Sequence, residues 1–390
     1  NEFIDNKKDI DGESAFKLYD TYGFPFELTK EIAAESNLNV DEEGFKKAMQ
    51  EQKDRAKAAA QKISVTGDIK YAKVEEKVGA TDFVGYSELE CDAKILETLE
   101  GEGYIDVVLD KTPFYAECGG QTGDSGIIEN ENLKLNVITT FKVNKLFVHR
   151  CELVNGEIET GAKVHAVIDK ARRGQIKVHH TSAHLLQAAL QKVLSKDVHQ
   201  AGSQVEENRM RFDFTFDRAM TKQEIQKTED LINEWISQDL DVTTKVMNID
   251  EAKATGAMAL FGEKYEDEVR VVSIGDGISK EFCAGCHASH TGQLRLAKVI
   301  SESAIAAGTR RIEVVVAKAA LKYLSEKADA IDKLAEKFKA HYDEVETRID
   351  KLLEDNKELQ KELSTVKSAQ AKDKFKEFSS KAVEINGGKL

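Results

Sequence analysis

Two short clusters, about a hundred residues apart, constrain this chain more than anything else in it. The first is His180-Thr181-Ser182-Ala183-His184, which opens the apolar run Leu185, Leu186, Ala188, Ala189, Leu190. On a helix, residues four apart lie about 40° apart around the axis and one turn along it, so two imidazoles converge on one point. The second is Cys283-Ala284-Gly285-Cys286-His287, where a thiol and an imidazole repeat that spacing around a glycine that lets the backbone bend sharply. Together they offer a soft sulfur and three nitrogens, the mixed set that suits zinc. Taken alone, a histidine pair on a helix is more ordinary, a partly buried polar group or a surface feature. A metalloprotease of the His-Glu-x-x-His type is excluded, because the position of its general base holds Thr181. By spacing, Cys286 rivals His287 as a ligand, and His179 and His290 are further rivals.

At 390 residues the chain is too long for one ordinary core and should divide into two or three domains. No apolar run reaches membrane-spanning length, and the chain opens on Asn1 with no charged-then-apolar leader, so we expect a soluble cytoplasmic protein, given as a fragment. Five cysteines, two of them in one metal cluster, argue against a disulfide framework and for a reducing compartment, leaving Cys91, Cys118 and Cys151 as free thiols. A net charge of -14 opposes non-specific binding to DNA or RNA. Any RNA contact must be local, and the candidates are Arg172, Arg173 and Lys177, then Arg209 and Arg211, then Arg310 and Arg311. The plain alternative is a set of solvated surface charges.

Residues 12 to 60 read as helical, with a break at Gly23-Phe24-Pro25, where proline fixes its own φ and pushes Phe24 out of the helical region. From about Ile63 short β-branched runs take over, among them Ile105 to Leu109, Lys142 to Val148 and Lys163 to Ile168, with turns at Gly67-Asp68, Gly101 to Gly103 and Asn155-Gly156. This pattern predicts a small barrel or open sheet. Pro113 stands before Phe114-Tyr115 and a glycine pair, a stiff turn that either presents Gln121 to a ligand or forms a plain surface corner. Residues 165 to 316 read as an α/β domain: the helix of His180 and His184, a strand Met210 to Phe216, an amphipathic helix Lys222 to Gln238, and a strand Val269 to Ile274. Trp235 belongs to the apolar face of that amphipathic helix, whereas Gly256-Ala257-Met258-Ala259 and Phe261 could line a pocket admitting a short amino acid. From Leu324 to Val366, apolar residues step by fours and threes through Ile331, Phe338, Tyr342, Val345, Leu352 and Leu359, a heptad seam with Asn356 at a core position. Such a seam pairs with another protomer, packs back on its own chain, or acts as a spacer.

These residues, in order and spacing, resemble the editing domain of alanyl-tRNA synthetase. The resemblance rests on His180 to Leu186, Gln200-Ala201-Gly202-Ser203, Arg211 to Phe214, Gly256 to Lys264, the Cys283/His287 cluster and Arg310 to Glu313. It extends upstream to Thr112 to Gln121, similar to the family's Gly-Gly-Gln loop, and to Ala15 to Pro25, which resembles the end of the synthetase's helical tRNA-recognition region. What it implies is an α+β multidomain chain. Residues 1–62 would end the tRNA-recognition region, 63–165 would form a barrel-like subdomain, 166–316 a zinc-containing editing core, 317–382 a coiled-coil linker, and 383–390 the start of a further C-terminal domain.

The family pattern selects His180, His184, Cys283 and His287 as zinc ligands. It makes Thr112 and Gln121 the candidates for sensing the hydroxyl of serine or placing the attacking water. Two departures stand out: Cys118 occupies a place where the family usually has a small residue, and Ala284 and Cys286 replace a glycine and a threonine. The implied activity is hydrolysis of seryl- and glycyl-tRNA specific for alanine, which solves a discrimination that one pocket handles poorly. ATP and Mg2+ would belong only to the parent enzyme's N-terminal portion, since no amino-acid-activating motif occurs here. The implied partner is the tRNA specific for alanine, with self-association through the heptad segment. Two alternatives compete: a free-standing trans-editing protein of the AlaX type, against which residues 12–60 argue, and a non-catalytic coiled-coil module with a structural zinc.

Overall fold

The structure, a computed structural model, describes residues 9–22, 24, 26–36, 38–49, 70–259, 265–306, 308–380, 384–385 and 388–389. Pro25, the segment from Ile63 to Ile69 with its Gly67-Asp68 turn, and Phe261 lie outside them. The described chain is mixed α/β and divides into two compact units, one of residues 1–118 and 122–170, the other of residues 119–121 and 171–390.

The first unit opens with helices α1 (Gly12–Tyr22) and α2 (Phe26–Glu35) and a helical stretch α3 at residues 42–49. Asp11 accepts from the Ser14 N–H at 2.8 Å and Asp41 from the Gly44 N–H at 2.9 Å, so both carboxylates satisfy backbone donors where helices begin. Phe26 and Phe45 stack at 3.9 Å over a small core with Ala15, Ala33 and Leu38. A helix α4 at residues 70–78 precedes β1 (Asp82–Phe83), β2 (Glu90–Glu100), β3 (Ile105–Leu109), β4 (Lys111–Thr112), β5 (Gly126–Glu129), β6 (Lys134–Val143), β7 (Leu146–Asn155) and β8 (Lys163–Ile168).

Six of these strands close into a barrel in the order β2-β3-β7-β6-β5-β8, every neighbouring pair antiparallel. Alternation drives the closure: Cys91, Ala93 and Ile95 of β2 and Val164, Ala166 and Ile168 of β8 point inward beside Val107, Leu109 and Leu135. Closure leaves no bare edge. The expected single strand Lys142 to Val148 is a hairpin instead. Asn144 takes φ 52° and Val143 pairs with Leu146. Asparagine tolerates that left-handed conformation, and the turn is only two residues long, with no glycine or proline to mark it in the sequence.

In the second unit, α5 (Lys170–Val193) is buried almost continuously from Val178 to Leu190. It packs on a four-stranded antiparallel sheet, β14-β15-β10-β9, formed by β9 (Gln200–Val205), β10 (Met210–Thr215), β14 (Ala297–Ala306) and β15 (Thr309–Val316). Between β10 and β14 come α6 (Lys222–Ser237), β11 (Val242–Asn248), α7 (Ile249–Ala254), β12 (Glu268–Ile274) and β13 (Ser279–Phe282), with the three strands forming a second antiparallel sheet. A reciprocal cap between Thr221 and Glu224 fixes the start of α6, whose Ile232, Trp235 and Ile236 enter the same core as Leu186, Phe212 and Ile312. Trp235 is thus core packing, as its helical face predicts.

The C-terminal region is helical but not one seam. α8 (Ala317–Phe338) ends at Lys339, which takes φ 49° and donates back to Ala335 and Glu336; after a single 3-10 turn, α9 (Val345–Ser380) begins. The heptad spacing carries from Phe338 through Tyr342 to Val345, yet the helix breaks within it, with neither glycine nor proline to announce the break. Ala335 and Val345 are buried on either side of it, whereas Leu352, Leu359, Leu363 and Val366 of α9 are more than half exposed. Asn356 accepts from Gln360 on its own helix at 2.9 Å. Among the described residues no helix is long and apolar enough to cross a membrane.

Candidate metal centre

α5 brings His180 and His184 to one face, their rings 5.7 Å apart and nearly parallel. The turn after β13 carries Cys283 and His287 to the same place: the His287 ring lies 4.4 Å from that of His180 and 4.9 Å from that of His184. The Cys283 Sγ stands 3.4 Å from His180 Nε2 and 3.2 Å from His287 Nε2. One ligand atom from each of the four residues falls within 4.8 Å of the rest. The rivals are engaged elsewhere. His179 bonds the Gln175 carbonyl and accepts from the Val316 N–H, His290 contacts Asp241, and Cys286 is not one of the four residues whose ligand atoms converge.

What makes the cluster a candidate centre is the shell behind it. Each imidazole engages a different partner through Nδ1. His180 meets Gln121 Oε1 at 2.7 Å, His184 meets Glu281 Oε2 at 2.9 Å, and His287 meets Thr181 Oγ1 at 3.3 Å. Thr181 gives its own hydroxyl proton to the Lys177 carbonyl and Gln121 Oε1 already takes the Cys286 N–H, so both oxygens receive protons from the rings. The three Nε2 lone pairs are left facing Cys283. This is how metal-binding histidines are held. His184 Nε2 is buried with no hydrogen-bond partner among the described residues. The sulfur-to-nitrogen separations come close to the roughly 3.6 Å that ordinary Zn–S and Zn–N bonds subtend in a tetrahedron. The donor set therefore fits a metal ion.

Charge is arranged in the same sense. Burial opposes ionisation of the Cys283 thiol, yet the His180 and His287 imidazoles outweigh it and hold the group well below its usual range. Burial likewise opposes charge on His184, but Glu281 and Cys283 hold it well above. Burial pushes His287 down to about 3.

Gln121 reaches the cluster through backbone geometry. Gly119 and Gly120 take φ 59° and 80°, the left-handed region open to glycine, and a Cβ on Gly120 would stand 2.5 Å from the Ser203 carbonyl oxygen. Val205 N–H donates to the Gly120 carbonyl at 2.7 Å, and Gln121 pairs in parallel with Val205. The Gln121 side chain is wholly buried and its Nε2 has no partner among the described residues. Thr112 lies in the first unit, also wholly buried. Its hydroxyl contacts His149 Nε2 at 2.7 Å and accepts from the Phe114 N–H at 3.2 Å. His149 Nδ1 meets the Val107 carbonyl at 2.9 Å, and burial pushes this histidine down to about 4.

Of the expected pocket wall, Gly256 and Met258 line an open cleft of about 710 Å³ that also touches Gln187, Lys245 and Glu281. Ala257 instead packs with Val271 and Phe282. Most of the basic residues singled out as RNA contacts are ion-paired: Arg172 with Glu207, Arg209 with Glu206 and Glu313, Arg310 with Glu302 and Arg311 with Asp213. Sequence reasoning missed Glu281 altogether, although a lone carboxylate two residues before Cys283 in an alternating strand was a usable signal.

A family model described as tRNA synthetases class II (A) matches residues 2–172, and one described as Threonyl and Alanyl tRNA synthetase second additional domain matches residues 269–313, the stretch holding Cys283, His287 and Glu281. The protein named Alanine--tRNA ligase from Synechocystis sp. is 40% identical over 395 residues, covering 99% of this chain and 45% of its own length. The chain belongs to the alanyl-tRNA synthetase family. Its counterpart of the same name from Acetivibrio thermocellus is 43% identical over 396 residues, with 98% of this chain and 45% of that protein covered. That from Crocosphaera subtropica is 44% identical over 349 residues, covering 87% and 40%. The chain thus spans less than half the length of these synthetase-family relatives.

Proposed function

We propose that the His180/His184/Cys283/His287 centre binds zinc and that this chain hydrolyses serine and glycine esters of the tRNA specific for alanine. One observation carries the reading: a wholly buried amide, Gln121, held by its oxygen to the His180 ring and to the Cys286 N–H, keeps an N–H2 group with no partner among the described residues beside the cluster. An aminoacyl ester is already activated, so its hydrolysis needs an oriented water, a donor for the developing oxyanion and a selective pocket, and no strong base. Bound there, zinc would supply Lewis-acid polarisation and a fixed positive charge. Four protein ligands make the closed kind of site, so the polar work at the substrate falls to the chain's own groups. Gln121 Nε2 is the donor that points to an oxygen of the ester or to the water, and its burial strengthens that bond.

The same reading assigns residues 1–62 to the end of a tRNA-recognition region, 63–165 and 166–316 to the editing unit, 317–382 to a linker whose exposed α9 residues self-associate, and 383–390 to the start of a further domain. It places the chain in the cytoplasm and leaves ATP-dependent aminoacylation to the longer synthetase. The test is single-turnover release of serine from seryl-tRNA of the alanine type, by the chain and by Cys283→Ala. Release that vanishes in the variant, with correctly charged alanyl-tRNA spared, supports the proposal. Equal release by both, or none by either, refutes it.

A further inference from the structure

Among the basic residues near the metal centre, Lys177 is set apart by its surroundings. It stands on α5 one residue short of a full turn before His180, and two turns before His184, so its side chain leaves the helix on the side that carries the two histidines. Its carbonyl accepts from Thr181 Oγ1 at 2.9 Å, which ties this turn of the helix to His287 through the same hydroxyl. Among the described residues the charged groups that act on Lys177 are the Cys286 thiol, which favours its charge, and Arg173 and Arg270, which oppose it, with no carboxylate among them. Arg270 lies against the metal loop, donating to the Cys283 carbonyl at 3.0 Å and to the Gly285 carbonyl at 2.6 Å. A half-buried ammonium beside two guanidinium groups is costly unless an anion meets it, and buried charges are ordinarily paired.

We propose that Lys177 is an anchor for a phosphate oxyanion, the phosphodiester of the terminal nucleotide that carries the ester. The proposal rests on the hydrolytic reading for the identity of the ligand. That phosphate lies one ribose away from the ester oxygen, and Lys177 stands about 4.5 Å along the helix axis before His180, close enough for one nucleotide to reach both. A protein of net charge -14 repels nucleic acid on average, so a local cation set at the centre does the holding that the general field does not. Ion pairing of Arg172, Arg209, Arg310 and Arg311 to carboxylates makes each of them a poorer candidate.

The experiment uses the full chain, Lys177→Met, which keeps the apolar stem, and Lys177→Arg. Half-saturating concentration and maximal rate are measured in single-turnover release of serine from seryl-tRNA of the alanine type. Binding of the uncharged tRNA is measured against salt, with zinc content and melting temperature as folding checks. Lys177→Met should raise the half-saturating concentration about five- to tenfold, with the loss concentrated there, and lower the salt slope of binding by about one, while Lys177→Arg restores both. A Lys177→Met protein that matches wild type in half-saturation and slope overturns the proposal, as does a loss confined to maximal rate or accompanied by loss of zinc. Should the wild type release no serine, the hydrolytic reading fails, and the salt slope on uncharged tRNA still decides for or against the anchor. Inorganic phosphate is the remaining arm: if it binds wild type but not Lys177→Met, and uncharged tRNA binds both alike, the anion is free phosphate and the assignment to RNA falls.

Discussion

Gly285→Ala tests whether close packing seats the metal ligands. A Cβ at this position would lie 1.9 Å from His180 Cε1, 2.3 Å from Nδ1 and 3.0 Å from Gln121 Oε1. Carbon atoms in contact ordinarily sit about 3.5–4.0 Å apart, so the ring must retreat by roughly 1.6 Å or more. It has little room, being buried and flanked by His184 and His287. Gly285 is not among the residues of left-handed φ, so the substitution adds no backbone strain, and the effect is steric alone. Overpacking costs about 1–3 kcal/mol and the broken His180–Gln121 bond about 1 kcal/mol, together about 2–4 kcal/mol. Displacing a ligand should lower zinc affinity at least as much as disturbing the groups behind it, about 10- to 100-fold. Chelator competition gives the affinity, and thermal melts with and without chelator give the stability. Gly174→Ala on the same helix α5 is the control of opposite sign. Nothing lies within 4 Å of its added Cβ, so it should stabilise by about 0.5–1 kcal/mol. A Gly285→Ala protein with wild-type zinc affinity and melting would refute the reasoning.

Two further outcomes are expected. Glu281→Ala removes the carboxylate behind His184 and leaves the Ser279 hydroxyl without its acceptor, so zinc affinity should fall about 10- to 100-fold in the same chelator assay; unchanged affinity would show that Glu281 does not orient the ligand. His149 is held neutral at about 4 by burial, whereas in the unfolded chain it titrates near 6.5. The unfolded state therefore takes up a proton that the folded state refuses, and stability is lost as pH falls from about 6.5 to about 4, by about 3 kcal/mol in all. Denaturant titrations across that range should show a shallower decline for His149→Gln than for wild type; parallel declines would mean that His149 is not the group responsible.

How much of this was legible in the sequence depended on range. The histidine pair on α5 was, because four-residue spacing on a helix is a local property, and so was its match to Cys283 and His287, because ligand types advertise themselves. The partners behind them were not. That Glu281 meets His184 follows from where β13 lies against α5, and that Arg311 faces Asp213 follows from the register of β15 on β10, neither of which a linear pattern encodes. The same ignorance of register made Arg310 and Arg311 look like free basic residues. The break between α8 and α9 escaped for a different reason: the apolar steps keep their phase across Lys339, Ala340 and His341, so periodicity alone sees one seam where the backbone turns.

Gln121 shows how a loop residue comes to act with a helix far along the chain. Two successive left-handed glycines let the backbone approach β9 so closely that a side chain at Gly120 would strike Ser203. The carbonyl of that glycine then holds the Val205 N–H, which sets the direction in which Gln121 leaves the loop. Its Oε1 accepts two protons, one from His180 of the candidate cluster and one from the loop that carries Cys283 and His287, and with both accepted the amide plane is fixed. The orientation of Nε2 is thus a consequence of the glycine pair and of the cluster together. An unmet donor held so firmly in a buried place is costly to the fold, and a bond to something that is not part of the chain is what would offset that cost.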